Sequence, residues 1–219
     1  MITLLTIGQT PRPDLLAPFV SQGIDNFQLI GALDNETIAS LKNIKNIPNE
    51  ELLYVVLRDG TKNISHSIID QRIEQLILEY EYTSDAIAVL CMSDFNITSD
   101  QTTLVFPLAE LKEKSKMIGE SDTSVIFVPI EEQVDSAKMK WAHVKGKKHF
   151  IPVHPKTVNV LELIDQHLLQ HAPDYVILDC YGFAYGLVSE IEQRHGCKCF
   201  GPQHLVTEKI KEIQKLHSN

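Results

Sequence analysis

Two of the four cysteines in this 219-residue chain sit in nearly the same local context. Cys91 closes Ala86-Ile87-Ala88-Val89-Leu90-Cys91 and leads into Met92-Ser93-Asp94. Cys180 closes Tyr175-Val176-Ile177-Leu178-Asp179-Cys180 and leads into Tyr181-Gly182-Phe183. Each run is short, apolar and rich in β-branched residues, as in a strand buried in a parallel sheet. Ligands of open α/β sheets bind at the carboxyl ends of strands, so both thiols fall where chemistry is done. A thiol titrates near ~8.5 and drops beside a cation or a helix N-terminus, so two thiols can act as base and acid on opposite faces of one C–H bond. The plainer alternative is that each is a small buried hydrophobe, the commonest lot of such cysteines.

A carbanion left by proton abstraction needs hydrogen-bond donors or a cation aimed at its oxygens. The loop after the first apolar run offers Gln9, Thr10 and Arg12. Arg58 precedes the Asp59-Gly60 turn, and Ser93, Tyr181 and Gly182 follow the two cysteines. Arg12 is the foremost carboxylate ligand, because a guanidinium grips two oxygens at once. Its alternative is an exposed residue between Pro11 and Pro13; that of Arg58 is an ion pair structuring the turn. Gln133 and Lys140 stand seven apart on one helix face, with packing around Trp141 as the favoured alternative. Asp94 lies three residues beyond Cys91 and opposes a thiolate there. Gly182 lets backbone amides turn toward the Cys180 sulfur, so Cys180 is expected to be the more reactive thiol and the first alkylated. Alternation along the strand turns Asp179 away from the Cys180 side, where it needs a hydrogen-bonded partner and acts structurally, not as a base.

These residues need a scaffold, and strand-like and helix-like segments alternate throughout, which predicts α/β with mainly parallel sheets flanked by helices. Strands are expected over 2–7, 27–33, 52–57 with a return over 62–66, 86–91, 124–128, 150–153, 175–180 and 199–200. Helices are expected from 14, over 35–43 capped by Asp34 or Asn35, and over 66–82, 108–118, 131–144, 157–172 and 186–195, with an exposed one over 203–217. The halves read as an internal duplication: residues 1–105 with 201–219 form a first lobe and 106–200 a second. Cys91 and Cys180 then face each other across an interlobe cleft, and Cys197 and Cys199 do not.

Composition narrows the classes. At 43% hydrophobic and 22% charged, the chain is an ordinary globular protein. A net charge of −9 argues against nucleic acid or an anionic membrane surface as partner. Four cysteines in this length are no disulfide framework, and Cys197-Lys198-Cys199 is too tight for a zinc knuckle, so reduced thiols in a cytoplasm are expected. The apolar start, Met1 to Ile7, lacks a basic n-region and reads as a strand, not a signal peptide, and no apolar run approaches a membrane span. Neither a Gly-rich dinucleotide fingerprint nor a Walker pattern occurs, so no cofactor is expected. His143, His149 and His154 bracket a loop, while His167 and His171 stand at i, i+4. With Leu161, Ile164, Leu168 and Leu169 as that helix's core stripe, the latter pair falls on the wet side and no metal site is expected.

Taken together, Leu5 through Asp14, Gly31-Ala32-Leu33-Asp34, Leu57-Arg58-Asp59-Gly60, Leu90-Cys91, Val128-Pro129 with Gln133 and Lys140-Trp141, and Leu178 through Phe183 resemble the AroM family. The resemblance implies a fold similar to the aspartate/glutamate/hydantoin racemase superfamily, with two pseudo-symmetric α/β lobes and one cysteine from each. The chain departs from the amino-acid racemases where Asn-Thr or Thr-His follows the cysteines: here Met92-Ser93-Asp94 and Tyr181-Gly182-Phe183 stand instead. Two functions are therefore expected. One is a cofactor-independent racemase/isomerase or decarboxylase-like lyase acting on a small carboxylate, in a homodimer-capable architecture. The other is a non-catalytic small-molecule binding or regulatory protein.

Overall fold

The structure, a computed structural model, describes residues 1–217. The chain divides into two compact units, residues 1–106 together with the chain from Thr207, and Pro107–Val206. The first contains β1 (Ile2–Thr6), α1 (Pro13–Ser21), β2 (Phe27–Gly31), α2 (Ile38–Asn43), β3 (Leu52–Leu57), β4 (Gly60–Ser65), α3 (His66–Tyr80), β5 (Ala86–Val89) and β6 (Thr103–Val105). Its parallel sheet runs β2-β1-β5-β6. Every residue of β1 and β5 is buried, which is why these strands read as unbroken apolar runs. Ile69, Ile73 and Ile77, spaced by four along α3, pack into the same core as Leu5, Ile87 and Val89. The strand at 52–57 does not join this sheet. It turns back into an antiparallel hairpin with β4, burying Leu53 and Val55 while exposing Leu52 and Tyr54.

The second unit holds α4 (Pro107–Ser115), β7 (Thr123–Val128), a 3-10 turn (Glu131–Gln133), α5 (Val134–Lys140), β8 (Lys147–Pro152), α6 (Val160–His171), β9 (Tyr175–Leu178), α7 (Leu187–His195), β10 (Lys198–Phe200) and the start of α8 (Pro202–His217). Its parallel sheet runs β10-β9-β7-β8. Read from the other end, this is the strand order of the first unit, with β7 for β1 and β9 for β5. The registers coincide as well. Ile2 pairs with Ala86 as Ser124 pairs with Tyr175. One bond past each ladder also repeats: the Leu90 N–H donates to the Leu5 carbonyl at 2.8 Å, and the Asp179 N–H donates to the Phe127 carbonyl at 2.9 Å. The next residues, Cys91 and Cys180, therefore occupy the same register position in two copies of one topology.

Several local expectations are corrected. The helix after β2 starts at Ile38 with Thr37 as its cap, whose Oγ1 accepts from the Ser40 N–H at 3.1 Å; Asp34 is engaged elsewhere. The span 131–144 is a 3-10 turn followed by the short α5. Strand β6 was not expected; with three residues it carries too little pattern to read. Helix α8 is not an exposed helix, because it buries Leu205, Val206, Thr207, Ile210 and Ile213. On α6, Leu169 is 77% exposed while His167 and His171 are half-buried, the reverse of the expected phase. Among the described residues no helix is long and apolar enough to cross a membrane.

Candidate functional site

In the first unit, the loops at the carboxyl ends of β1 and β2 and the tip of the β3–β4 hairpin lock together. A Cβ on Gly8 would stand 2.0 Å from the Val56 carbonyl oxygen, so only glycine admits the hairpin this close. The Gln9 N–H then donates to that carbonyl at 3.0 Å. The Gln9 side chain is buried and fully used: Nε2 donates to the Leu33 and Glu36 carbonyls, and Oε1 accepts from the Arg58 N–H at 3.1 Å. Asp34 is the centre of the cluster. Its carboxylate accepts from the Thr10 N–H and Oγ1, the Gly31 N–H and Arg58 Nη2. Arg58 Nε also donates to the Thr10 carbonyl at 2.8 Å. Arg12 is not turned on this cluster: its Nε and Nη2 fork onto Asp14 at 2.9 and 2.6 Å.

Past β5, Cys91 is half-buried, its N–H donating to the Val89 carbonyl at 2.9 Å. Two residues on, Ser93 is buried and its Oγ has no hydrogen-bond partner. A buried hydroxyl left unsatisfied costs about 1–3 kcal/mol, so a site that keeps one is a candidate for a ligand's oxygen.

In the second unit the equivalent loop is built on a buried ion pair. The Asp179 side chain is 1% exposed. Lys140 Nζ lies 3.0 Å from both of its oxygens, and the Trp141 indole N–H donates to Oδ2 at 2.9 Å. Burial pushes the Asp179 carboxyl above the usual range, and Lys140 and Trp141 oppose that rise. Cys180 is half-buried, with the Gly182 N–H directed at its sulfur at 3.4 Å. Burial raises the thiol and Asp179 adds to the rise; the Gly182 amide and Lys140 pull the other way without reversing it. Against the expectation of a depressed thiol, burial and Asp179 push Cys180 toward its protonated form. Tyr181 is buried, its carbonyl accepting from Gln203 Nε2 at 2.7 Å, and its phenol hydroxyl has no partner. Burial drives that phenol upward.

The structure therefore brings Gln9, Thr10 and Arg58 together, and Cys180, Tyr181 and Gly182 together. Gln133 stays exposed at the end of its 3-10 turn and joins neither group. Cys197 and Cys199 are buried in the second core, both thiols raised by burial. Sequence reasoning missed Asp34, whose only signal was its place in the Gly31-Ala32-Leu33-Asp34 segment, and the pairing of Lys140 with Asp179 across 39 residues. Among the described residues no group of three His, Cys, Asp or Glu side chains could hold a metal ion.

The family model described as AroM protein matches residues 2–214, and the chain belongs to the AroM family. No curated protein matches it in sequence. Solved structures share its fold. Allantoin racemase from Klebsiella pneumoniae superposes with a TM-score of 0.62 at 11% identity, covering 99% of this chain and 88% of the racemase. Aspartate racemase from Picrophilus torridus gives 0.56 at 14% identity, covering 97% and 94%. A mutant of arylmalonate decarboxylase in its liganded form gives 0.63 at 10% identity, covering 97% and 91%.

Proposed function

We propose that this AroM-family protein is a cofactor-independent racemase/isomerase or decarboxylase-like lyase that uses cysteine acid/base chemistry on a small carboxylate. The observation that carries the reading is the shared register position of Cys91 and Cys180, each one residue beyond the bond that ends its strand ladder. Duplicated strands that merely fill two cores have no need of a thiol at the same post-strand position. Racemases and a decarboxylase among proteins of the same fold support the reaction class.

Both reactions pass through a carbanion beside a carboxyl group. In racemisation a thiolate takes the proton from one face of the carbon and a thiol returns one to the other. In decarboxylation the carbon–carbon bond breaks, carbon dioxide leaves with its oxygens, and a thiol protonates the carbon. Cys180 suits the donor role in either, because its surroundings keep the proton on sulfur. When the proton leaves, the Gly182 N–H at 3.4 Å receives the new thiolate. Ser93 and Tyr181, whose hydroxyls lack partners, are assigned to substrate oxygens. Gln9, Thr10, Arg12 and Arg58 are already engaged within the chain, and they contribute by shaping the loop or by exchanging a partner for substrate.

That engagement is what favours the rival, a binding protein of the same fold. Incubation in heavy water with a panel of small carboxylates separates them. The enzyme reading expects deuterium at a carbon next to a carboxyl group, lost in Cys180→Ala. A ligand that raises the melting temperature with no deuterium uptake in the unsubstituted protein refutes it and supports the binder.

A further inference from the structure

We propose that the open edge of β3 pairs antiparallel with the same edge of a second copy of this chain, Leu52 of each copy opposite Tyr54 of the other, so that two hairpins join into one four-stranded sheet. The hairpin's register fixes which backbone groups are open. Arg58 and Asp59 form the turn, and the pairing runs from Leu57 with Gly60 to Leu52 with Ser65. One step further, the His66 N–H donates to the Glu51 carbonyl at 2.9 Å. The odd-numbered residues of β3 therefore turn their N–H and C=O groups to β4. Alternate residues of an antiparallel ladder turn theirs the other way, and these are Leu52, Tyr54 and Val56. The Val56 carbonyl is taken by the Gln9 N–H at 3.0 Å. Among the described residues, nothing pairs with the outward backbone groups of Leu52 or Tyr54.

Natural sheets blunt such edges with charge, proline or covering chain, and this hairpin blunts only one of its two. On β4, Asn46 occupies the outward groups: its Nδ2 donates to the Asn63 carbonyl at 3.0 Å and its Oδ1 accepts from the Ser65 N–H at 2.9 Å. On β3, the run from Leu52 to Leu57 carries neither charge nor proline, and Leu52 and Tyr54 are 46% and 63% exposed. A second copy fits this edge because the arrangement is its own complement. With a two-fold axis between the two Leu53 residues, Leu52 and Tyr54 of one copy meet Tyr54 and Leu52 of the other. Both outward N–H groups and both outward carbonyls of each copy are then used. The same pairing sets an exposed leucine beside an exposed tyrosine twice, an apolar cross-strand contact of the kind that stabilises sheets. Its extent is limited at both ends. Gln9 occupies the edge at Val56, and a turn with Asn49 at φ 62° precedes the strand. With the β4 edge covered, growth stops at two chains, a closed two-fold assembly. Pairing also braces the strand that carries Val56 and Arg58 to Gln9 and Asp34, and it stands whether or not the chain is an enzyme.

Two short strand edges make a small interface, of the weak and concentration-dependent class. Sedimentation equilibrium from about 1 μM to about 1 mM should therefore show the mass rising from one chain toward two. Hydrogen exchange followed by NMR should show the Leu52 and Tyr54 amides slowing about tenfold once roughly nine-tenths of the chains are paired, since only the open edge exchanges. Tyr54→Pro removes an outward N–H and leaves the bonds to β4 in place, while Leu52→Lys puts a charge on the edge. Each variant should stay a single chain over the whole range. Leu52→Lys, at an exposed position, carries the test if the proline shifts the urea midpoint. A chain that stays single throughout the range overturns the proposal, as does a dimer that survives Leu52→Lys. A mass that climbs past two chains overturns the closed pairing, and slowing at Tyr54 without Leu52 overturns the register.

Discussion

Replacing Lys140 with methionine keeps most of the apolar stem and removes the charge from a buried carboxylate. Asp179 is 1% exposed and has two side-chain partners, Lys140 with contacts of 3.0 Å to both oxygens and the indole N–H of Trp141. Breaking a buried pair by deleting one member costs roughly 3–5 kcal/mol, because the surviving charge is stranded. The carboxyl has an escape, which is to take a proton. Relative to an unfolded aspartate titrating near ~3.9, holding a protonated carboxyl costs about 4 kcal/mol at pH 7 and about 1.5 kcal/mol at pH 5, at 1.36 kcal/mol per pH unit. The sign follows from proton counting. Native Lys140→Met holds a proton that the unfolded chain has lost, so its stability falls as pH rises. Urea denaturation of both proteins at pH 5 and pH 7 checks this. The expected loss is about 3 kcal/mol at pH 7 and clearly smaller at pH 5, because the Asp179 carboxyl of the unsubstituted protein is itself raised by burial and shares the cost of holding a proton there. At roughly 2–4 °C per kcal/mol for a chain of this size, the neutral-pH loss lowers the melting temperature by about 10 °C. An equal loss at both pH values would mean that the lysine contributes packing rather than charge. No loss at either would mean that Asp179 is already neutral in the native protein, and the ion-pair account would fail.

Three other outcomes follow from the same geometry. Asp179→Asn removes a group that raises the Cys180 thiol and leaves Lys140, which lowers it. Iodoacetamide at pH 7.5 should therefore modify Cys180 several-fold faster than in the unsubstituted protein, and an unchanged or slower rate contradicts the assignment. Gly8→Ala puts a methyl group 2.0 Å from the Val56 carbonyl oxygen, which must displace the hairpin at a cost of about 2 kcal/mol or more in urea unfolding; a neutral result would show that the hairpin yields freely. Asp34→Ala strands the Thr10, Gly31 and Arg58 donors, so amide hydrogen exchange over residues 8–12 and 31–34 should accelerate while that of β1 stays slow, and uniform acceleration would place Asp34 in global stability instead.

The two cysteine strands were legible because a strand covered on both faces must be apolar at every position, so Ala86–Val89 and Tyr175–Leu178 announce themselves without tertiary information. Helix α3 was legible for the parallel reason that a half-covered helix repeats its apolar residues at its own period. Failures cluster where local rules meet distant partners. Asp34 precedes a helix and looks like its cap, but its oxygens are claimed by donors 24 residues away on either side, and Thr37 caps the helix instead. Gln9 reads as an amide waiting for substrate until both ends of it are found on backbone groups. Helix α6 shows the limit of phase: Leu169 and His171 stand two apart, and only the packed neighbours decide that the ring is covered and the leucine exposed.

By itself, then, the amino-acid sequence determined the alternation of elements, the two apolar strands that end in cysteine, and the repeat that relates them, since these depend on periodicity along the chain. Tertiary structure alone decided the state of the groups around the thiols. Whether Cys180 keeps its proton depends on the depth of burial and on an aspartate whose charge is held by a lysine 39 residues earlier. Desolvation and pairing act through space, with no period along the chain to record them.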